Sequence, residues 1–196
     1  LNILKKIGCN HFFLASTEEA IRIRNKNKNK KIHLYVLNGL EKNNLSIFKK
    51  YNLIPILNSK EEIDTYIKSE YYKTNFKIGL HIDTGLNRLG IKLSNLKKEL
   101  ICEMNLEILI SHLASSDKIK NKYNKKQNLN FKKAFNYFKF IKYKSLSASH
   151  GVVNNKDFHY DMIRPGISLY GGYSVINLNK KIKIKHVINL KGKILQ

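Results

Sequence analysis

Short apolar runs rich in β-branched and aromatic residues alternate along the chain with longer polar stretches whose apolar positions recur at helical spacing. That alternation marks a β/α protein built on a parallel sheet. The runs that read as strands are His11–Ala15, His33–Leu37, Ile54–Leu57, Phe76–Ile82, Leu106–Ser111, Ser145–Ser149 and Met162–Leu169. Between them, Thr17-Glu18-Glu19-Ala20 and Ser59-Lys60-Glu61-Glu62 open helices with a capping residue and first-turn acids. The longest predicted helix is Asn121–Phe140, with Phe131, Ala134, Phe135 and Phe138 as its apolar stripe. Seven strands alternating with helices suit an eight-fold (β/α) barrel that is one unit short, since complete barrels take about 250 residues and this chain has 196. Beyond Gly172 the texture changes. Lys180–Gln196 alternates charged and aliphatic residues, as half-exposed antiparallel strands do. The expected organisation is therefore an incomplete barrel over residues 1–172 and the beginning of a β-rich domain over 173–196.

Charge changes this picture little. The formal net charge is +23, but arginine occurs only at positions 22, 24, 88 and 164, so lysine supplies nearly all of it. Asn–Lys runs such as Asn25–Lys31 accompany the lysines, a surplus that an AT-rich coding sequence produces. Surfaces that read phosphates favour arginine, whose planar fork binds them bidentately. The basic stretch Phe131–Lys144 already serves as an amphipathic helix, so no specific nucleic-acid partner is expected. Cys9 and Cys102 lie outside any metal-ligand or CxxC spacing and read as free thiols of a reducing compartment, which points to the cytoplasm. No metal is expected. No apolar run approaches the roughly 20 residues that span a membrane, and the chain opens with Leu1 and without a cleavable leader.

Four clusters at predicted strand ends can carry chemistry: His81–Ile91, Ser111–Asp117, Ser145–Gly151 and Ile163–Gly171. In a barrel the C-terminal strand ends form the active-site face, and the last strands commonly build a phosphate site. Ser149 offers a hydroxyl there, Gly166 and Ile167 offer main-chain N–H groups, and Arg164 supplies a cation. This describes a phosphate-bearing ligand with a fixed positive charge beside it. Asp83 and Thr84 read as turn holders; His112 and Ser149 have structural readings, as a hydrogen-bonded histidine and a helix cap.

These clusters, in this order, resemble alanine racemase: Asp83-Thr84-Gly85-Leu86-Asn87-Arg88-Leu89-Gly90, Ser111-His112-Leu113-Ala114-Ser115-Ser116-Asp117, Ser145–Gly151 and Arg164-Pro165-Gly166-Ile167-Ser168-Leu169-Tyr170-Gly171. The stretches Gly8–Glu19 and Ile32–Gly39 resemble the family's second and third strands. The resemblance implies a pyridoxal-phosphate (PLP) site and a cytoplasmic homodimeric enzyme that interconverts L- and D-alanine to supply peptidoglycan. The residue matching Arg164 bonds the pyridine nitrogen, that matching Arg88 holds the substrate carboxylate, that matching His112 packs by the ring, and those matching Ser149, Gly166 and Ile167 hold the phosphate. Three departures accompany it. The family's Schiff-base lysine lies on a first strand that nothing here matches, and its partner tyrosine belongs to a C-terminal domain beyond Gln196. His81 stands where many members carry lysine. A non-catalytic PLP-binding or degraded barrel module is the alternative reading.

Overall fold

The computed structural model describes residues 1–40, 44–118, 120–172, 184–189 and 191–192. Six strands form one parallel sheet in sequential order: β1 (His11–Leu14), β2 (His33–Val36), β3 (Ile54–Leu57), β4 (Ile78–His81), β5 (Asn105–Ile110) and β6 (Phe140–Ser145). Among the described residues seven helices, α1 (Asn2–Lys6), α2 (Thr17–Lys26), α3 (Leu45–Tyr51), α4 (Lys60–Ile67), α5 (Lys98–Ile101), α6 (Lys122–Ala134) and α7 (Ser149–Asn154), alternate with them. All strands run the same way, so their C-terminal ends share one side of the sheet.

Strand alternation, with a bulge between Leu106 and Ile108 of β5, sends Leu34, Val36, Leu57, Leu80, Leu106 and Leu109 outward into the main core, where Phe48, Ile63, Tyr66 and Phe131 from the helices meet them. The opposite sheet face carries Tyr35, Ile54, Ile56, Ile108 and Ile110, with Phe13, Tyr143 and Met162 packed on them. His11 of β1 meets Tyr143 of β6 edge-on at 5.2 Å between ring centroids. The two edge strands are thus brought within side-chain reach although no ladder joins them: the sheet curls into a partial barrel with its gap between β1 and β6. Gly79 is required inside this curl, because a Cβ there would lie 2.3 Å from Ile56 Cδ1 and 2.8 Å from Ile108 Cγ2. At the N-terminal strand ends Glu107, almost fully buried, faces His33 (3.4 Å), Lys142 (3.2 Å) and Lys77 (3.7 Å).

Two helix starts follow the capping logic, one residue earlier than predicted in the first case. Ser16, not Thr17, caps α2 and accepts from Glu19 N, while Glu19 Oε2 accepts from Ala15 N. Ser59 does the same for α4 with Glu62, whose Oε2 accepts from Asn58 N.

Three expectations are corrected. The predicted helix Asn121–Phe140 ends at Ala134 and passes through a 3-10 turn, Phe135–Tyr137, into β6. The strand expected over Ser145–Ser149 therefore lies upstream, at Phe140–Ser145. The apolar stripe persists across the break, since Phe131 and Phe138 both face the core, and this hid the change of element. Met162–Leu169 forms no strand. Its pairing is a single bridge between Arg164 and Ala148, after which Ile167–Tyr170 winds into a 3-10 turn; Pro165 lacks the N–H that a continuing ladder needs. The strands expected in Lys180–Gln196 fall largely outside the described residues, and positions 184–189 and 191–192 carry none.

A candidate cofactor site at the strand ends

The C-terminal ends of β3 to β6 gather the four sequence clusters. After β4, Asp83 Oδ1 accepts from the N–H groups of Gly85, Leu86 and Asn87 at 2.9 to 3.1 Å, the turn-holding role expected of it. The loop returns at Gly90, whose φ of +101° and close approach (a Cβ would sit 2.8 Å from Asp83 N) admit only glycine comfortably. Arg88 rides on this loop, exposed. Thr84 shares a 2.8 Å hydroxyl–hydroxyl bond with Ser111 at the end of β5, both buried.

Arg164 is the hub. One guanidinium nitrogen donates to Ser145 O (2.8 Å) and Ser145 Oγ at the end of β6, the other to Ser111 O after β5, and the group lies over the Phe13 ring, 5.7 Å from its centroid. Burial lowers its pKa to about 10, so it stays charged at neutral pH. Ser149, expected as a phosphate ligand or cap, begins α7. Its Oγ accepts from Gly166 N (2.9 Å) and Ser168 N (3.3 Å) and lies 3.2 Å from Ser168 Oγ. The Gly166 N–H, expected to be open to a ligand, is thus directed at Ser149. Ile167 opens the 3-10 turn beside it with its side chain exposed. A Cβ at Gly166 would meet nothing within 4 Å, so the backbone there borders open space.

His112 follows β5, half-buried. Burial first, then the charges of Arg164, Arg88 and His150, lower its pKa to about 4. His81, only 5% exposed, is lowered to about 3, chiefly by burial, then by Arg164, His112 and Arg88 against the opposing charge of Asp83. Arg164 and Arg88 thus both act on the two rings, His81 at the end of β4 and His112 just after β5, on the strand-end mouth. A cavity of about 600 Å³ opens beside it, lined by Asn58, Ser59, Lys60, Asp83, Gly90 and Lys92 among others.

These histidines make the fold acid-sensitive. Their unfolded pKa is near 6.5, and depression in the folded state means that the unfolded chain binds more protons below that value. Stability is full above about pH 6.5 and falls as the pH drops toward the folded values. For His81 alone, 1.36 kcal/mol per unit over the interval from pH 6.5 to 5 gives a loss of about 2 kcal/mol. Urea midpoints measured at pH 7.5 and pH 5 should show that decrease, and His81→Gln should reduce it; equal midpoints would contradict the assignment.

Sequence reasoning missed the face of α6 that grips both mouth loops. Gln127 Oε1 accepts from Ala114 N (2.9 Å), while its Nε2 donates to His112 O (3.0 Å) and Thr84 Oγ1 (3.3 Å). Asn124 Nδ2 donates to Ser115 O and Lys118 O, and Tyr123 Oη to Gly85 O. A signal was present: Asn124, Gln127 and Asn128 continue the Phe131/Ala134 stripe at intervals of three and four, which makes them buried polar groups needing partners. Asn58 and Ser168 were also missed.

The donor set suits a phosphorylated ligand. It combines two neighbouring hydroxyls, on Ser149 and Ser168, with an arginine that stays charged at neutral pH, while the Gly166 N–H is already taken by Ser149. Among the described residues no group of three or more His, Cys, Asp or Glu could hold a metal, and no helix is long and apolar enough to cross a membrane.

Comparisons with known proteins agree on one family. The family model described as alanine racemase, N-terminal domain, matches residues 1–174. The alanine racemase of Rickettsia canadensis is 37% identical over 191 residues, 93% of this chain and 53% of its own length. That of Rickettsia rickettsii is 37% identical over 170 residues, 84% and 47% respectively. The chain thus spans about half the length of these relatives. Among solved structures, alanine racemase from Bartonella henselae with covalently bound pyridoxal phosphate superposes with a TM-score of 0.78 at 27% identity, over 86% of this chain and 50% of that one. The biosynthetic enzyme from Pseudomonas aeruginosa, at 23% identity, shares the fold with a TM-score of 0.79, over 90% of this chain and 49% of that one. With the sequential parallel sheet, the four strand-end clusters and these matches in agreement, the chain belongs to the alanine racemase N-terminal-domain family.

Proposed function

We propose that the chain is the PLP-binding barrel part of an alanine racemase, residues 1–172, followed by the start of a C-terminal β domain, and that the protein works in the cytoplasm as a homodimer. The observation that carries this reading is a charged arginine and two neighbouring hydroxyls at the strand ends, on a chain 37% identical to named alanine racemases. Ser149, Ser168, Gly166 and Ile167 would hold the cofactor phosphate, and Arg164 and His112 would border the ring. Arg88 would hold the carboxylate of alanine. Bound PLP supplies an electron sink that makes the α-proton of an amino acid acidic. Arg164 keeps a full positive charge beside the ring, and His112, held neutral by burial and by two guanidiniums, offers packing surface without a competing proton. The two groups that would move the substrate proton in this family, a lysine and a tyrosine, match no residue here. The apolar rim beside the site (Ile163, Ile167, Leu169 and Tyr170, all more than a third exposed) supports packing against a second subunit or the β domain.

The test is PLP binding followed by racemisation. The chain should bind PLP, and Ser149→Ala should weaken binding by about tenfold or more, since a hydrogen bond to a charged group contributes roughly 1.5–3 kcal/mol. L-/D-alanine interconversion with added PLP should be absent for residues 1–196 and present for a longer polypeptide that carries the lysine strand and the tyrosine domain. General acid–base groups contribute about 10²–10⁴-fold each. Turnover by the 196-residue chain alone would place the reactive lysine within it. An inactive longer polypeptide that still binds PLP would favour a non-catalytic module.

A further inference from the structure

Residues 118–156 contain eleven lysines and neither aspartate nor glutamate, and α6 lies within them. Its buried face is fixed by Asn124, Gln127, Asn128, Phe131 and Ala134. With about 3.6 residues per turn, the opposite face takes Lys122, Lys125, Lys126, Leu129, Lys132 and Lys133, and all six are exposed. Leu129, 59% exposed, falls at the centre of that arc with the five lysines around it. Among the described residues none of the five has a carboxylate within ion-pair distance. Five ammonium groups along about 16 Å of helix repel one another, and a surface of opposite charge relieves that repulsion.

An AT-rich coding sequence accounts for the number of lysines but not for this arrangement. The helices α2 and α4 interleave their basic residues with Glu18, Glu19, Glu61, Glu62 and Asp64, whereas α6 carries no acid at all. Nor does bias place a bare leucine in the middle of the lysines. We propose that the outer face of α6 docks the protein on an anionic phospholipid surface, with the five lysines against the headgroups and Leu129 inserted between them. Clustered lysines are held by such a surface through its summed charge and need no defined geometry. A nucleic acid would engage arginine forks and stacked aromatic rings. The face has no arginine, and its nearest ring, Tyr123, is half-buried and tied to Gly85 O. A phosphate backbone also offers nothing to Leu129, while the acyl layer below the headgroups does. The surface is touched, not crossed. Since α6 packs against the outer side of the sheet, the strand-end mouth stays open to water.

The test is co-sedimentation of the 196-residue chain with vesicles of phosphatidylglycerol and phosphatidylcholine in equal parts, against vesicles of phosphatidylcholine alone. The chain should bind the first and not the second, and high salt should release it. Replacing the five α6 lysines by glutamine should weaken binding about a hundredfold or more, since each lysine at an anionic surface contributes about fivefold. Glutamine at Lys6, Lys26, Lys28, Lys30 and Lys31, also exposed, removes the same charge elsewhere and should weaken it far less. All these positions face solvent, so both variants keep the fold. The chain has no tryptophan, so Leu129→Trp adds a single reporter, whose emission should shift to the blue on the anionic vesicles. Equal weakening in the two five-lysine variants would assign the binding to net charge and overturn the patch, as would failure to bind the anionic vesicles. Unshifted emission from bound Leu129→Trp would overturn the insertion. Tighter binding to duplex DNA than to the vesicles, lost with the α6 lysines, would put a nucleic acid in place of the lipid and overturn the proposal. Vesicle binding needs no cofactor, so its outcome is independent of the PLP reading.

Discussion

Replacing Arg164 by leucine is expected to lower folding stability by about 3 kcal/mol and to abolish PLP binding. The guanidinium ties the paired ends of β6, through Ser145, and β5, through Ser111, to Phe13 of β1 across the gap, through its ring face. Ser145 and Ser111 are buried; Ser145 O keeps the Ser111 N–H, but Ser111 O and Ser145 Oγ would lose the guanidinium without gaining water freely. Hydrogen bonds from a charged donor contribute roughly 1.5–3 kcal/mol each, and partial solvent access at the mouth holds the total near the lower bound. Arg164→Lys should recover little, because one ammonium cannot span two strand ends as a planar fork does. Urea denaturation measures the first effect and PLP titration of the folded fraction the second. A stability change below about 1 kcal/mol would mean that the observed bonds add little to the barrel's closure.

The second large effect concerns an arginine without a place in the site. Arg24, 7% exposed, donates to Tyr51 O, Asn29 O, Ile32 O and Asn52 O at 2.8 to 3.0 Å. It lies in the last turn of α2 and reaches the end of α3 and the approach to β2, where terminal helix carbonyls lack partners of their own. Asn52 holds a left-handed conformation at φ 48° there, which turns its carbonyl toward the guanidinium's reach. Arg24→Ala should cost about 3–4 kcal/mol by removing four bonds from a charged donor, one of them to the buried Ile32 carbonyl. Since Arg24 belongs to the N-terminal strand ends, PLP affinity per folded molecule should not change. A weaker affinity at full folding would show coupling between the two ends of the barrel.

The comparison of these two arginines shows where the sequence stops being sufficient. Arginine is scarce here, and scarcity drew attention to Arg88 and Arg164 as the cations of a site; Arg24 is equally scarce and is a structural tie. No local pattern separates them, because the difference lies in which carbonyls the folded chain brings near. The strands were legible where a run of apolar residues was bounded by polar turns, as at Ile54–Leu57, which matches β3 residue for residue. They were not legible where two elements share one apolar periodicity. Phe131, Ala134 and Phe138 read as a single helix face, yet the backbone changes from helix to turn after Ala134 and carries β6 from Phe140. The run Met162–Leu169 has strand-like composition, but a ladder is a property of two chains, and beyond Arg164 the missing N–H of Pro165 and the return to Ser149 end it.

By itself the sequence determined the parallel β/α order, the placement of three chemical clusters after β4, β5 and β6, the family, and the turn that Asp83 holds. All of these are read within about ten residues, the range over which alternation, capping and motif spacing act. Only the tertiary structure decided that β1 and β6 approach one another, that Gln127 of α6 grips both mouth loops, and that Gly166 donates to Ser149. The contact between Asn58 Oδ1 and His81 Nδ1 belongs with these. It depends on an amide 23 residues away whose own orientation is set by two carbonyls on neighbouring strands, and such a contact exists only once the sheet has assembled.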